Sequence, residues 1–162
     1  MSEKVEMELE CEEDTQKDKF LTFPMGAEVY GLEIKFVTEI IGLQPITKVP
    51  DLPEYVKGII NLRGKIIPVI DVRLRFKKPA MEYNDRTCIV VVDISGIAVG
   101  LIVDTVAEVL TIGQSDIVPP PELNHGSYQQ RFTKAIGKVG GAVILILDCD
   151  RLLGDDAMPN ID

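Results

Sequence analysis

Tyr30-Gly31-Leu32-Glu33-Ile34-Lys35-Phe36-Val37-Thr38-Glu39-Ile40-Ile41 aligns without a gap, at an offset of 69, with Val99-Gly100-Leu101-Ile102-Val103-Asp104-Thr105-Val106-Ala107-Glu108-Val109-Leu110. The shared frame is Gly-Leu, then Val-x-Glu followed by two branched residues. Further along, Tyr55 to Gly64 (YVKGIINLRG) meets Phe132 to Gly141 (FTKAIGKVGG) at an offset of 77, so the second copy carries an eight-residue insertion. The same offset pairs GKIIPVID, ending at Asp71, with GAVILILD, ending at Asp148. Ordered self-similarity of this kind marks a duplicated unit. Each Asp leads into a short amphipathic piece, VRLRF or CDRLL, and is placed to cap a single helical turn by accepting a backbone N–H.

From Phe20 onward the chain is a series of short apolar runs rich in Val, Ile, Thr and Phe, punctuated by Gly, Pro, Asn and Asp, which is the pattern of an all-β domain. Strands are expected near 19–24, 28–35, 37–44, 59–62, 65–70, 87–93, 97–103, 106–112, 134–139 and 142–147. The fold expected is therefore two five-stranded β-barrels of the SH3-like size class in pseudo-repeat, with a shared hydrophobic core and short helical turns. Neither copy alone has core enough to be comfortable. The first subdomain spans about 19–76, residues 77–86 (KKPAMEYNDR) form a polar connector, and the second spans about 87–153, with exchange of strands between them left open. Residues 1–18 and 154–162 are expected to be tails. Arg63-Gly64 and Gly140-Gly141 fall where hairpin turns need positive φ, whereas Pro68 interrupts a strand and argues for an edge or a bulge.

Charge and composition exclude several classes. The formal charge is −9, and residues 1–18 hold eight acids (Glu3, Glu6, Glu8, Glu10, Glu12, Glu13, Asp14, Asp18) against Lys4 and Lys17, a net of −6. This head reads as a solvated, disordered acidic tail. No basic stripe with interleaved aromatics is present, so nucleic acid is not an expected partner. No apolar run approaches the roughly 20 residues of a membrane span, and the N-terminus lacks the order of a signal peptide, so a cytoplasmic protein without direct membrane insertion is expected. Cys11, Cys88 and Cys149 are odd in number, far apart and without histidine neighbours, which points to reduced thiols, with no metal site and no cofactor.

An enzyme needs a nucleophile, a base or a metal cluster. The single histidine, His125, lies in a proline-flanked loop, and no nucleotide-binding, zinc-protease or nucleophile-elbow motif occurs. Asp71 and Asp148 occupy equivalent places in two units, which favours paired caps over a carboxylate pair for acid–base chemistry. Two surface features exceed what barrel cores require. Arg63 stands on a tight turn, where little entropy remains to be lost on binding, and the insertion Ile117-Val118-Pro119-Pro120-Pro121-Glu122-Leu123 is stiffened by its prolines.

The combination FLTF at Phe20–Phe23, Tyr30-Gly31-Leu32, Val37-x-Glu39-Ile40, Val56-Lys57-Gly58-Ile59-x-Asn61-Leu62-Arg63-Gly64, Pro68-Val69-x-Asp71-Val72-Arg73 and Val99-Gly100-Leu101-x-Val103-Asp104 resembles the CheW family over about residues 19–153. The resemblance implies a non-catalytic adaptor that couples the histidine kinase CheA, through its regulatory domain, to the cytoplasmic tip of methyl-accepting chemotaxis receptors. It also implies a monomer in isolation that joins larger arrays. It places the receptor tip in the groove between the barrels, against Ile34, Val37, Glu39, Arg63, Leu101 and Val103, and the kinase on the insertion, against Val118, Pro120, Glu122 and Leu123. At Val118 and Leu123 the chain departs from members that carry a basic and an aromatic residue there. The alternatives are a coupling module of a twitching or developmental pathway and, in a different class, a small β-barrel ligand carrier or enzyme using the groove.

Overall fold

In the computed structural model, residues 17–120 and 132–154 are described. They form eleven strands: β1 (Lys19–Met25), β2 (Glu28–Glu33), β3 (Val37–Gly42), β4 (Val56–Leu62), β5 (Lys65–Asp71), β6 (Cys88–Ile94), β7 (Ile97–Val103), β8 (Val109–Thr111), β9 (Ile117–Val118), β10 (Thr133–Val139) and β11 (Ala142–Leu147). Two helical turns, α1 (Val72–Arg75) and α2 (Cys149–Leu153), follow β5 and β11. The architecture is all-β with two curled sheets, as the duplication predicts. One sheet has six strands rather than five: the two-residue β9 pairs with Ile136 and Gly137, where Ile59, the repeat partner of Ile136, makes only an isolated bridge to Thr47.

Sheet membership crosses the repeat boundary. The six-stranded order is β8-β1-β2-β11-β10-β9 and the five-stranded order is β3-β6-β7-β5-β4. Each sheet thus takes the first hairpin of one copy and the later strands of the other. The two junctions are parallel pairings with equivalent registers: Ile146 faces Gly31 in one sheet, and Val69 faces Gly100 in the other. Offsets of 77 and 69 relate these pairs, so the duplication extends to the register.

The exchange has a reason in the side-chain alternation of the hairpins. In β6 and β7, Ile89, Val91 and Ile102 enter the interior of the five-stranded barrel, while Val90, Val92, Val99, Leu101 and Val103 point the opposite way into a core shared by both sheets. In β1, Phe20 serves the interior of the six-stranded barrel and Leu21 and Phe23 the shared core. Successive residues of a strand face opposite sides. A hairpin apolar on both faces must therefore be covered twice.

Local chemistry fixes the corners. Asp71 caps α1 by accepting from the N–H of Leu74 at 3.3 Å, and Asp148 caps α2 by accepting from the N–H of Arg151 at 3.2 Å. The hairpin residues Arg63 and Gly64 have φ of 53° and 85°, and Gly140 and Gly141 have 52° and 84°. These suit the two-residue turns that continue strand twist. Pro68 is neither on an edge strand nor at a bulge: β5 lies between β7 and β4. Its partner Ile59 uses both backbone groups on Thr47, each at 2.9 Å, so the Pro68 nitrogen faces away from β4. On that other side, pairing with β7 begins only at Val69. The missing N–H therefore falls just outside the ladder.

The parallel junctions are close-packed at glycine. A Cβ on Gly100 would stand 2.7 Å from Ile89 and 2.8 Å from Val69, and one on Gly31 would stand 3.0 Å from Ile144. Gly100→Ala is expected to destabilise the fold by about 2 kcal/mol through overpacking, and Gly31→Ala by less than about half as much. Urea unfolding of the two variants measures the difference, and Gly100→Ala should cost less in an Ile89→Ala background, which lacks the Cγ2 that the new methyl would meet.

Candidate functional site

The β4–β5 turn is the most exposed polar projection among the residues singled out. Asn61 Oδ1 accepts from the N–H of Gly64 at 2.9 Å and closes the turn. Arg63 extends from it with a side chain 69% exposed and donates through Nη2 to Glu39 Oε2 on β3. That hydrogen bond, with the charge of Glu39, holds the guanidinium pKa above its usual value. Because β3 and β4 are the two outer strands of the five-stranded sheet, the ion pair and the Thr47–Ile59 bridge join its ends. The duplicated turn has the same backbone with Gly140 where this one has Arg63. An L-residue in the left-handed region gives up about 1 kcal/mol relative to glycine. The turn does not require arginine; its side chain is what distinguishes this tip.

A bulge divides the six positions expected to line one groove. In the β3–β6 ladder Val37 faces Val92, but Glu39 faces Val91, with the register shifting between them. Val91 and Val92 point to opposite faces, so Val37 turns toward the shared core and Glu39 toward the mouth of the five-stranded barrel. Ile34 and Val37 are half-buried against the same cluster that contains Leu101 and Val103. Leu101 and Val103 are 0% and 1% exposed. Their expected role as contact residues is corrected on that ground: the seam between the barrels is filled by the chain's own side chains, and these two support Ile34 and Val37 from beneath. In the insertion, Val118 pairs with Ile136 of β10 and is half-buried, as is Pro120. Glu122, Leu123 and His125 lie outside the described residues.

Two arginines that the sequence reading quoted without assigning a role prove to be junction residues. Arg73 of α1 forms a two-pronged ion pair with Asp104, Nε to Oδ1 at 2.8 Å and Nη2 to Oδ2 at 2.6 Å. Arg75 is buried, donates from Nε to the Leu152 carbonyl at 2.8 Å, and lies over the rings of Tyr55 and Phe132 at 4.3 and 4.6 Å. An apolar-polar-apolar-polar rhythm in VRLRF conceals a cation pointing into the core; only the third dimension supplies its carbonyl partners. Asp71 is likewise engaged, accepting the Tyr83 hydroxyl at 2.7 Å in addition to its cap. Burial, then Asp71, raises the phenol pKa well above its ordinary value. Among the described residues, no group of three or more His, Cys, Asp or Glu is placed to hold a metal ion, and no helix is long and apolar enough to cross a membrane.

Comparison with known proteins relates the chain and its fold to a family. Residues 19–157 match the family model of the CheW-like domain. The chain is 32% identical over 149 residues to the chemotaxis protein CheW of Klebsiella aerogenes, covering 92% of this chain and 89% of that protein. It is 28% identical to protein FrzA of Myxococcus xanthus, over 65% of this chain and 66% of that one. The crystal structure of the scaffolding protein TtCheW from Thermoanaerobacter tengcongensis superposes with a TM-score of 0.80 at 38% identity, covering 88% of this chain and 99% of that one.

Arg75→Lys keeps the charge but loses the planar stacking and the fixed direction of the carbonyl contacts. It is expected to lower the unfolding free energy by about 2 kcal/mol, and Arg75→Ala by about 3 kcal/mol, because carbonyls at the end of α2 lose their buried donor. Chemical denaturation followed by circular dichroism reads both.

Proposed function

The chain belongs to the CheW-like family and is a coupling adaptor of chemotaxis, and on that footing we propose that it joins the histidine kinase CheA to the cytoplasmic tips of methyl-accepting chemotaxis receptors without catalysing a reaction itself. The observation that carries the receptor side of this reading is Arg63, an exposed arginine on a turn whose duplicate manages with glycine, held in place by Glu39. Ile34 and Val37 give a half-buried apolar surface backed by the shared core, which suits an apolar side of a helical tip. The receptor surface is thus Ile34, Val37, Glu39 and Arg63, with Leu101 and Val103 as its support. The kinase surface is the insertion, through Val118, Pro120, Glu122 and Leu123.

An adaptor transmits receptor state only if its contacts differ in free energy between the kinase-on and kinase-off arrangements. Individual contacts of about micromolar strength, multiplied by avidity in an array, meet this requirement while leaving the assembly adjustable. A cytoplasmic location is part of the same reading. A second reading, the same coupling in a twitching or developmental pathway, draws on the likeness to FrzA.

The test is reconstitution with CheA and a receptor signalling fragment, measuring receptor-dependent autophosphorylation. Arg63→Glu places two carboxylates together and is expected to reduce activation by about tenfold or more while thermal unfolding stays near that of the parent. Leu101→Ala, by contrast, is expected to lose about 3 kcal/mol of stability and to impair every binding surface together. Full activation by Arg63→Glu would remove Arg63 from the receptor surface.

A further inference from the structure

A cleft of about 340 Å³ opens at one end of the six-stranded barrel, far in sequence from the Arg63 turn. Lys17, Lys19, Lys35 and Lys134 line it, against two acids, Asp18 and Glu33. Glu33 is shared by two of the lysines: Lys35 Nζ lies 3.5 Å away and Lys134 is in direct contact. Asp18 accepts from Gln114 Nε2 at 3.1 Å. The cleft therefore carries an excess of positive charge in a chain whose net charge is −9. Beneath the lysines its walls are apolar, with Phe20, Ile117 and Ile146 belonging to the barrel interior. A ligand matched to such a site is extended, apolar on one side and acidic on the other.

The chain encodes such a segment next to the cleft. In Val5-Glu6-Met7-Glu8-Leu9-Glu10-Cys11-Glu12, apolar and acidic residues alternate strictly over eight positions. A solvated tail requires no alternation, whereas period two separates the two kinds of residue onto opposite faces of an extended chain. Residues 13–16 then lead directly to Lys17, which itself lines the cleft, and four residues reach roughly 14 Å when extended. Tethering over so short a distance gives an effective concentration of about millimolar or more, so that weak charge pairs suffice for occupancy.

We propose that residues 5–12 of this chain dock in this cleft, with Val5, Met7, Leu9 and Cys11 toward its apolar walls and Glu6, Glu8, Glu10 and Glu12 toward the lysines. The head is then an intramolecular occupant that an acidic partner segment would have to displace.

A nitroxide at residue 2, outside the docking segment, provides the probe: in full-length protein carrying Ser2→Cys, Cys11→Ala and Cys88→Ser it is placed selectively, since burial pushes the Cys149 thiol pKa up to about 12 and leaves it unreactive. At low salt the amide signals of Ile117, Ala135 and Lys19 are expected to lose most of their intensity, while those of the Arg63 turn keep theirs. The loss should disappear in about 0.5 M NaCl, in Lys35→Glu/Lys134→Glu and in the variant with Glu6, Glu8, Glu10 and Glu12 changed to Gln, which leaves the folded body untouched. Three results would overturn the proposal: unattenuated cleft signals at low salt, attenuation that persists in the Gln variant, or attenuation of a labelled chain only by the nitroxide of a second copy.

Discussion

Two hairpins, β1–β2 and β6–β7, are apolar on both faces, and covering the second face is the constraint from which the rest of the molecule follows. Among the described residues, twenty buried positions form the shared core, against six in the interior of one barrel and four in the other. Hydrophobic stabilisation scales with apolar area removed from water, so most of it resides where the barrels meet. Neither barrel keeps that share alone. A row of rings, Phe23, Tyr30, Phe76 and Phe132, runs through the junction with centroids 5.7, 5.1 and 5.5 Å apart, and Arg75 extends it by stacking on Phe132. Both copies contribute to the row. Separation of the barrels would expose all of it, which makes the pair a single cooperative unit.

Such a unit has consequences for its surfaces. Ile34 and Val37 rest on a core that is close-packed and resists deformation, so the surface they form is held in one shape. The Arg73–Asp104 pair joins α1 to the end of β7, across the same parallel junction that Gly100 allows to close. The five-stranded barrel is thus tied to α1 by charge and to the shared core by packing on the same side.

Much of this was readable from the sequence because duplication doubles the signal. Gly31 and Gly100 fall on the same frame, and the need for a missing Cβ at both parallel junctions explains the match. Asp71 and Asp148 were legible as caps because each precedes an amphipathic turn, and the capping bonds are local. What escaped depends on distant partners. Pro68 could not be placed without knowing that Ile59 turns its backbone to Thr47. The bulge between Val37 and Glu39 has no signature in VTEII, yet it separates two residues expected to share a groove. Leu101 and Val103 belong to a strand whose every residue is apolar, and alternation there assigns residues to two cores rather than to core and surface. Arg75 is hidden by the opposite error, a charged residue in a place that polarity alone assigns to solvent.

Where the two copies differ is as informative as where they agree, because the scaffold holds backbone geometry constant while side chains change. Arg73 and Asp104, the ionic clamp of one junction, correspond through the two offsets to Asp150 and Lys35, the same charges in reverse order. The second junction does not reproduce the clamp. Lys35 instead neighbours Glu33 and lies 5.1 Å from the Phe36 ring centroid, at the edge of the lysine-lined cleft. On that side Arg75 reaches the carbonyls of Leu152 and Arg151 in α2. Arg63 differs from its duplicate in the same way, since Gly140 makes the identical turn without a side chain. Divergence between the copies thus falls at the Arg63 turn and at Lys35 in the lysine-lined cleft, two places where the duplicate keeps the backbone and changes the side chain.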